Sequence, residues 1–67
     1  MSKFFRVVII PPGVEPWMKT IDADDHDLTT RVGSVHIDFI RQGVVIEQLN
    51  IPDTFGYSLS LETYKSD

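Results

Sequence analysis

The run Phe4-Phe5-Arg6-Val7-Val8-Ile9-Ile10, stopped by Pro11-Pro12-Gly13, constrains this chain more than any other segment. Its aromatic and β-branched side chains favour an extended backbone. Two consecutive prolines fix φ and remove two amide donors, so the strand cannot continue past Ile10. Being apolar on both faces, the run reads as a central strand covered on both sides rather than as an edge. Gly13 allows a tight reversal, and from Pro16 to Asp22 the pattern alternates. Trp17, Lys19 and Ile21 fall on one side, Met18 and Thr20 on the other. A second strand, hairpin-paired with the first and opened by Pro16, follows from that pattern. Trp17 reads as core, since a small interior needs large side chains to fill it.

Size limits the rest. With 67 residues the chain reads as one compact domain, 1–67, and such a domain buries only about 60% of its unfolded surface. Its 42% hydrophobic and 24% charged residues are those of a globular fold, which is expected to be marginally stable, alone or as a homo-oligomer. There is no cysteine, so neither a disulfide nor a thiolate metal site supports the core. No apolar run reaches the roughly 18 residues of a membrane span. Met1-Ser2-Lys3 leads straight into a strand pattern without a signal-peptide cleavage region, and a cytoplasmic location is the expectation.

The segment from Asp24 to Gly33 carries signals of a short helix. Asp24 or Asp25 caps the amide end, Asp27 follows Asp24 at capping-box spacing, and Gly33 suits a left-handed stop. Leu28 and Val32 form a narrow apolar stripe one turn apart, with Arg31 near the C-terminal end of the dipole. Beyond it, Val35, Ile37 and Phe39 alternate with His36, Asp38 and Ile40. Val44 to Leu49 resumes after Arg41-Gln42-Gly43, giving two strands joined by a glycine turn. Asn50 to Gly56 reads as a loop around Pro52 and Asp53. In the last strand Tyr57, Leu59 and Leu61 oppose Ser58, Ser60 and Glu62, and that strand is the expected sheet edge. The expected fold is α+β in the order β-β-α-β-β-β: a single, mainly antiparallel sheet of 4–5 strands with one short helix.

Chemistry-bearing residues are sparse. Asp22, Asp24, Asp25 and Asp27 place four of the ten acidic residues within six positions. As a calcium loop counted from Asp22, the run has Asp27 where the sixth-position glycine belongs and Gly33 in place of the twelfth-position glutamate, so that motif fails. His26 lies beside these carboxylates, but His36 is the only other histidine, and no metal or other cofactor is expected. Helix capping uses one or two of the four carboxylates. The surplus charge is a candidate contact patch for a basic protein surface.

No cysteine nucleophile, glycine-flanked serine, phosphate-cradling loop or HExxH is present, so no enzymatic activity is expected. A net charge of −4, with the six Lys and Arg residues dispersed, argues against direct nucleic-acid binding. His36 and Asp38 share one strand face with Ile40, as a contact patch or simply a wet side. Phe55 and Tyr57, and Trp17 beside Met18, are candidate interface anchors, aromatic residues being enriched at interface centres. If the loops around Pro12 and Pro52 lie at the same end of the sheet, these residues form an apolar patch that a partner would cover.

Ile10-Pro11-Pro12-Gly13, Pro16, Ile21-Asp22, Leu28 and Val32-Gly33 together resemble the opening of a group of small uncharacterised proteins from phages and other mobile elements. In these a strand, a Pro-Gly turn, a second strand and a short helix ending in Val-Gly come in that order. Here Ser34 follows Gly33 where the group has a second glycine, and the group's Asn- and Gly-rich segment is missing. The resemblance covers the first half and implies origin rather than mechanism.

The leading functional expectation is a small acidic, non-enzymatic binding protein, phage-encoded, that docks on a host or partner protein and modulates or inhibits it. Its contact would join Asp22, Asp24, Asp25 and Asp27 to Phe55 and Tyr57. A structural or self-assembling subunit held through Tyr57–Tyr64 pairing, and a domain binding a small ligand or divalent cation, are the alternatives.

Overall fold

The structure, a computed structural model describing residues 3–63, is all-β. Met1, Ser2 and Tyr64 onward lie outside the described residues. Six strands follow in chain order: β1 (Lys3–Ile10), β2 (Trp17–Ile21), β3 (Asp25–Arg31), β4 (Ser34–Arg41), β5 (Val44–Pro52) and β6 (Gly56–Thr63). They form two three-stranded antiparallel sheets, β2-β1-β6 and β3-β4-β5. None of the described residues forms a helix long and apolar enough to cross a membrane.

The sheets face each other across one core. Phe5, Val7 and Ile9 from β1 and Ile21 from β2 meet Ile37 and Phe39 from β4 and Ile51 from β5, with Ala23 between β2 and β3. The rings of Phe5 and Phe39 meet edge to face at 5.5 Å between centroids. The molecule's shortest extent, 13 Å, is that of two stacked sheets, whose backbones lie about 10 Å apart. Val35, Leu49, Phe55 and Leu59 close the margins half-buried. On one flank β2 lies over β5, where the Lys19 ammonium pairs with Glu47 across the gap between sheets. On the other flank, β6 and β3, closure is poorer: the inward-facing Leu61 and Leu28 are 48% and 43% exposed.

The expected helix and the single sheet are both overturned. Residues expected to be helical form β3, paired with β4 from Asp25↔Ile40 to Arg31↔Ser34. The misread signal was Gly33, whose φ of +82° serves a hairpin reversal as well as a helix stop. Val32, placed on the apolar stripe, is fully exposed in that turn. Thr29 and Thr30 favour the strand because a branched Cβ fits a pleated surface. The sheet divides at Asp22-Ala23-Asp24, where the chain crosses between layers. Ala23, at the middle of that crossover, is wholly buried. The Asp24 amide then donates to Ile40 O at 3.0 Å, entering the second sheet.

Three further expectations change. β1 is central in its sheet, flanked by β2 and β6, but it is covered on one face only, leaving Val8 half-buried and Ile10 exposed. Trp17 is 46% exposed rather than core. The loop after Leu49 is shorter than expected, because β5 continues to Pro52 and only residues 53–55 remain between strands. The β1–β2 and β4–β5 hairpins and the alternation of β6 are as the sequence reads. A bulge opposite Phe39 and Ile40 inserts Ile46 between Val45 and Glu47. Were Ile46 paired with Phe39 instead, Glu47 would fall opposite Asp38 and face outward, away from Lys19.

Candidate functional site

One end of the sandwich gathers the aromatic residues. Ile9 is paired with Trp17 on one side and Tyr57 on the other, so both residues project on the inward face of the sheet, where β1 is about to end. The loop after β5 returns Phe55 to the same end, its amide donating to Pro52 O at 2.9 Å. Between them lies a cleft of about 80 Å³ lined by Ile9, Trp17, Leu49, Ile51, Pro52 and Phe55, with Asn50 on its border. The loops around Pro12 and Pro52 therefore do share one end, and their aromatic residues form a concave apolar surface. Tyr57, 37% exposed, lies across Ile9 from Trp17 and outside the cleft lining, and Val14 is exposed in the adjoining loop. A cleft of this size accepts a single apolar or aromatic side chain.

The acidic run lies elsewhere. Asp22, Asp24, Asp25 and Asp27 occupy the β2–β3 crossover and the start of β3, beyond Ile21, which pairs with Phe5. Trp17 starts the same strand four residues earlier, roughly 13 Å away at strand rise. A single compact contact joining the acidic run to Phe55 and Tyr57, as the sequence suggested, is therefore not formed. Nor is the run a free acidic surface throughout. Arg41 donates to the Asp22 carboxylate at 2.7 Å and to its carbonyl at 3.1 Å, while the Gln42 amide donates to Asp24 Oδ2 at 3.4 Å. Asp25 accepts from the His26 amide at 2.8 Å. What the sequence assigns to helix capping is in fact turn closure and crossover anchoring.

On the outer face of the second sheet a polar ladder runs across β3, β4 and β5. Register sets Thr29, His36 and Asn50 in one row and Asp27, Asp38 and Gln48 in the next. His36 Nδ1 lies 2.7 Å from Asn50 Oδ1 and His36 Nε2 lies 2.7 Å from Asp38 Oδ1, while Gln48 Nε2 donates to that same Asp38 oxygen at 2.9 Å. Both ring nitrogens thus face acceptors, the arrangement that suits imidazolium. The hydrogen bond to Asn50 first, and that to Asp38 second, hold the His36 pKa above 6.5 against partial desolvation. Asp38 is held below its usual value by Gln48 and then by His36. A flip of the Asn50 amide would offer Nδ2 as a donor to a neutral ring, so the same ladder accommodates both protonation states.

This ladder is positioned by the pleat of β4 and orders a surface. His26 lies on the opposite face of its sheet, edge-on to Phe5 at 5.0 Å, so the two histidines do not converge. Among the described residues no three of His, Cys, Asp and Glu are grouped to hold a metal ion. The cleft was partly legible in the sequence through Phe55, whereas Tyr57 is not among its lining residues. The ladder's Asn50 and Gln48 were missed, because their partnership with His36 and Asp38 appears only once β4 and β5 are in register. The chain matches no protein-family model, no curated protein and no solved structure.

Proposed function

We propose that this chain is a small non-enzymatic binding protein that docks on a partner protein and modulates or inhibits it, using the Trp17–Phe55 cleft as a socket for an apolar side chain of that partner. The single observation that supports it is Trp17, 46% exposed at the mouth of a concave apolar cleft. A domain with so few large side chains gains most by burying its one tryptophan. Leaving it at a cleft mouth trades folding stability for contact surface, and tryptophan is the residue most enriched at interface centres. The resemblance to phage and mobile-element proteins makes a host protein the partner to look for. The acidic crossover is a separate, secondary contact.

Affinity capture from a host lysate tests this with Trp17→Ala and Phe55→Ala set against Asp24→Lys/Asp25→Lys. Truncating an interface anchor costs about 2 kcal/mol, or roughly thirtyfold in affinity. A partner retained by wild type and by the charge-reversed form, but lost from both cleft variants with folding intact by circular dichroism, is the expected result. Capture that survives Trp17→Ala discards the socket.

A further inference from the structure

We infer that β6 is a self-association edge, along which a second copy of this chain pairs its own β6 antiparallel about Leu59, continuing β2-β1-β6 into a six-stranded sheet. An exposed edge strand is a template for another strand unless something blunts it. Among the described residues, three of the four edges are blunted. β2 is only five residues long and follows Pro16. β3 sets Asp25, Asp27 and Arg31 along its length. β5 is interrupted by the bulge at Ile46 and closes on Pro52.

β6 has none of these devices. It runs eight residues without proline, and its register with β1 is unbroken from Gly56 to Thr63. Its one charged side chain, Glu62, is engaged by Arg6 at 3.2 Å near the end of the strand. Its inward row is also incompletely covered: Tyr57 is 37% and Leu61 48% exposed, on the same flank as the exposed Leu28.

The strand is complementary to itself. Opposed residues in an antiparallel pair share a face. A two-fold axis at Leu59 therefore sets Tyr57 against the second copy's Leu61 and Leu59 against its counterpart on the inner face. On the outer face it sets Ser58 against Ser60 and Glu62 against Gly56, with no like charges opposed. A one-residue slip in either direction would put Leu59 opposite a serine. An axis at Ser60 would pair Tyr57 with Thr63 in place of Leu61. The self-association uses the β6 edge and not the socket, so either can fail without the other.

Sedimentation equilibrium of the full chain over a range of concentrations tests the inference, with Leu61→Lys as the disrupting variant and Thr29→Lys, on the β3 edge, as the control. A dimer is expected for wild type and Thr29→Lys, with the dissociation constant raised at least about tenfold by Leu61→Lys. Hydrogen exchange on the wild type decides the matter even if Leu61→Lys fails to fold. The β6 amides that are not bonded to β1 are expected to exchange more slowly as concentration rises. A monomer at all concentrations, concentration-independent exchange at those amides, an undiminished dimer in Leu61→Lys, or loss of the dimer in Thr29→Lys would overturn it.

Discussion

Replacing Phe39 tests the two-layer architecture directly. Its side chain is fully buried and meets Phe5, the other phenylalanine of the core cluster, edge to face across the sheets. Phe39→Ala removes about 3–5 kcal/mol by loss of transfer energy and creation of a cavity. A domain of this length has only roughly 3–10 kcal/mol in total, so that variant is expected to be largely unfolded. Phe39→Leu is the more informative change. It forfeits the aromatic pair, worth about 0.5–1.5 kcal/mol beyond area, together with part of the ring volume, for a total near 2 kcal/mol.

Urea unfolding followed by Trp17 fluorescence reads this as a midpoint lowered by about 1–2 M, given slopes of roughly 1–2 kcal/mol per M for small domains. Phe5→Leu in the same background completes a double-mutant cycle, with a coupling of about 0.5–1.5 kcal/mol expected between residues in contact. Val32→Ala is the contrasting control. Fully exposed in its turn, it should change stability by less than about 0.5 kcal/mol, whereas a helix across a sheet would bury Val32 with Leu28. If Val32→Ala costs as much as Phe39→Leu, or if Phe5 and Phe39 show no coupling, the facing-sheet core is wrong.

Two further outcomes follow from backbone and charge. Gln42 sits at φ +51° beside Gly43 at +79°, the geometry of a type I′ hairpin turn, where a non-glycine residue other than Asn or Asp is disfavoured. Gln42→Gly or Gln42→Asn is expected to stabilise by about 0.5–1 kcal/mol, raising Tm by roughly 2–8 °C in calorimetry; a lowered Tm would contradict it. NMR titration should place the His36 pKa above 6.5, and Asn50→Ala should bring it down by removing the largest cause of the shift. Because the folded value is raised, the His36 contribution to stability is full below pH 6.5 and is lost as pH rises through the folded pKa. Asp38, with a lowered value, contributes above pH 3.8 and loses that contribution as pH falls through its folded pKa. The ladder is therefore strongest between these limits, and a His36→Gln variant whose pH–stability profile matched wild type there would refute the coupling.

The strands of this chain are legible wherever alternation and stopping residues agree. Pro11-Pro12-Gly13 ends β1, Gly43 reverses β4 into β5, and the serines of β6 mark its outer face. The stretch from Asp24 to Gly33 is where local signals conflict. Its aspartates and glycine satisfy a helix's ends as well as a hairpin's, and two turns of helix without a packing face are no more stable than an isolated strand. What settles it is distant: β4 presents a ladder to which Asp25–Arg31 adds seven paired positions, a gain that appears nowhere in the local sequence. The candidate site divides the same way, since Trp17 and Phe55 announce themselves as aromatic residues near Pro- and Gly-containing loops, while Asn50 and Gln48 are ordinary polar residues until register sets them beside His36 and Asp38.

By itself the sequence determined that the chain is a small, cysteine-free domain with an apolar strand ended by prolines, because those properties depend on residue type and near neighbours. Only the tertiary structure decided that the strands divide into two layers. Alternation specifies which side chains share a face but not which face meets which, and the crossover at a wholly buried Ala23 folds one ribbon of strands onto the other. That stacking seats Trp17 and Phe55 around one cleft, parts them from the acidic run, and leaves β6 as the edge without a guard.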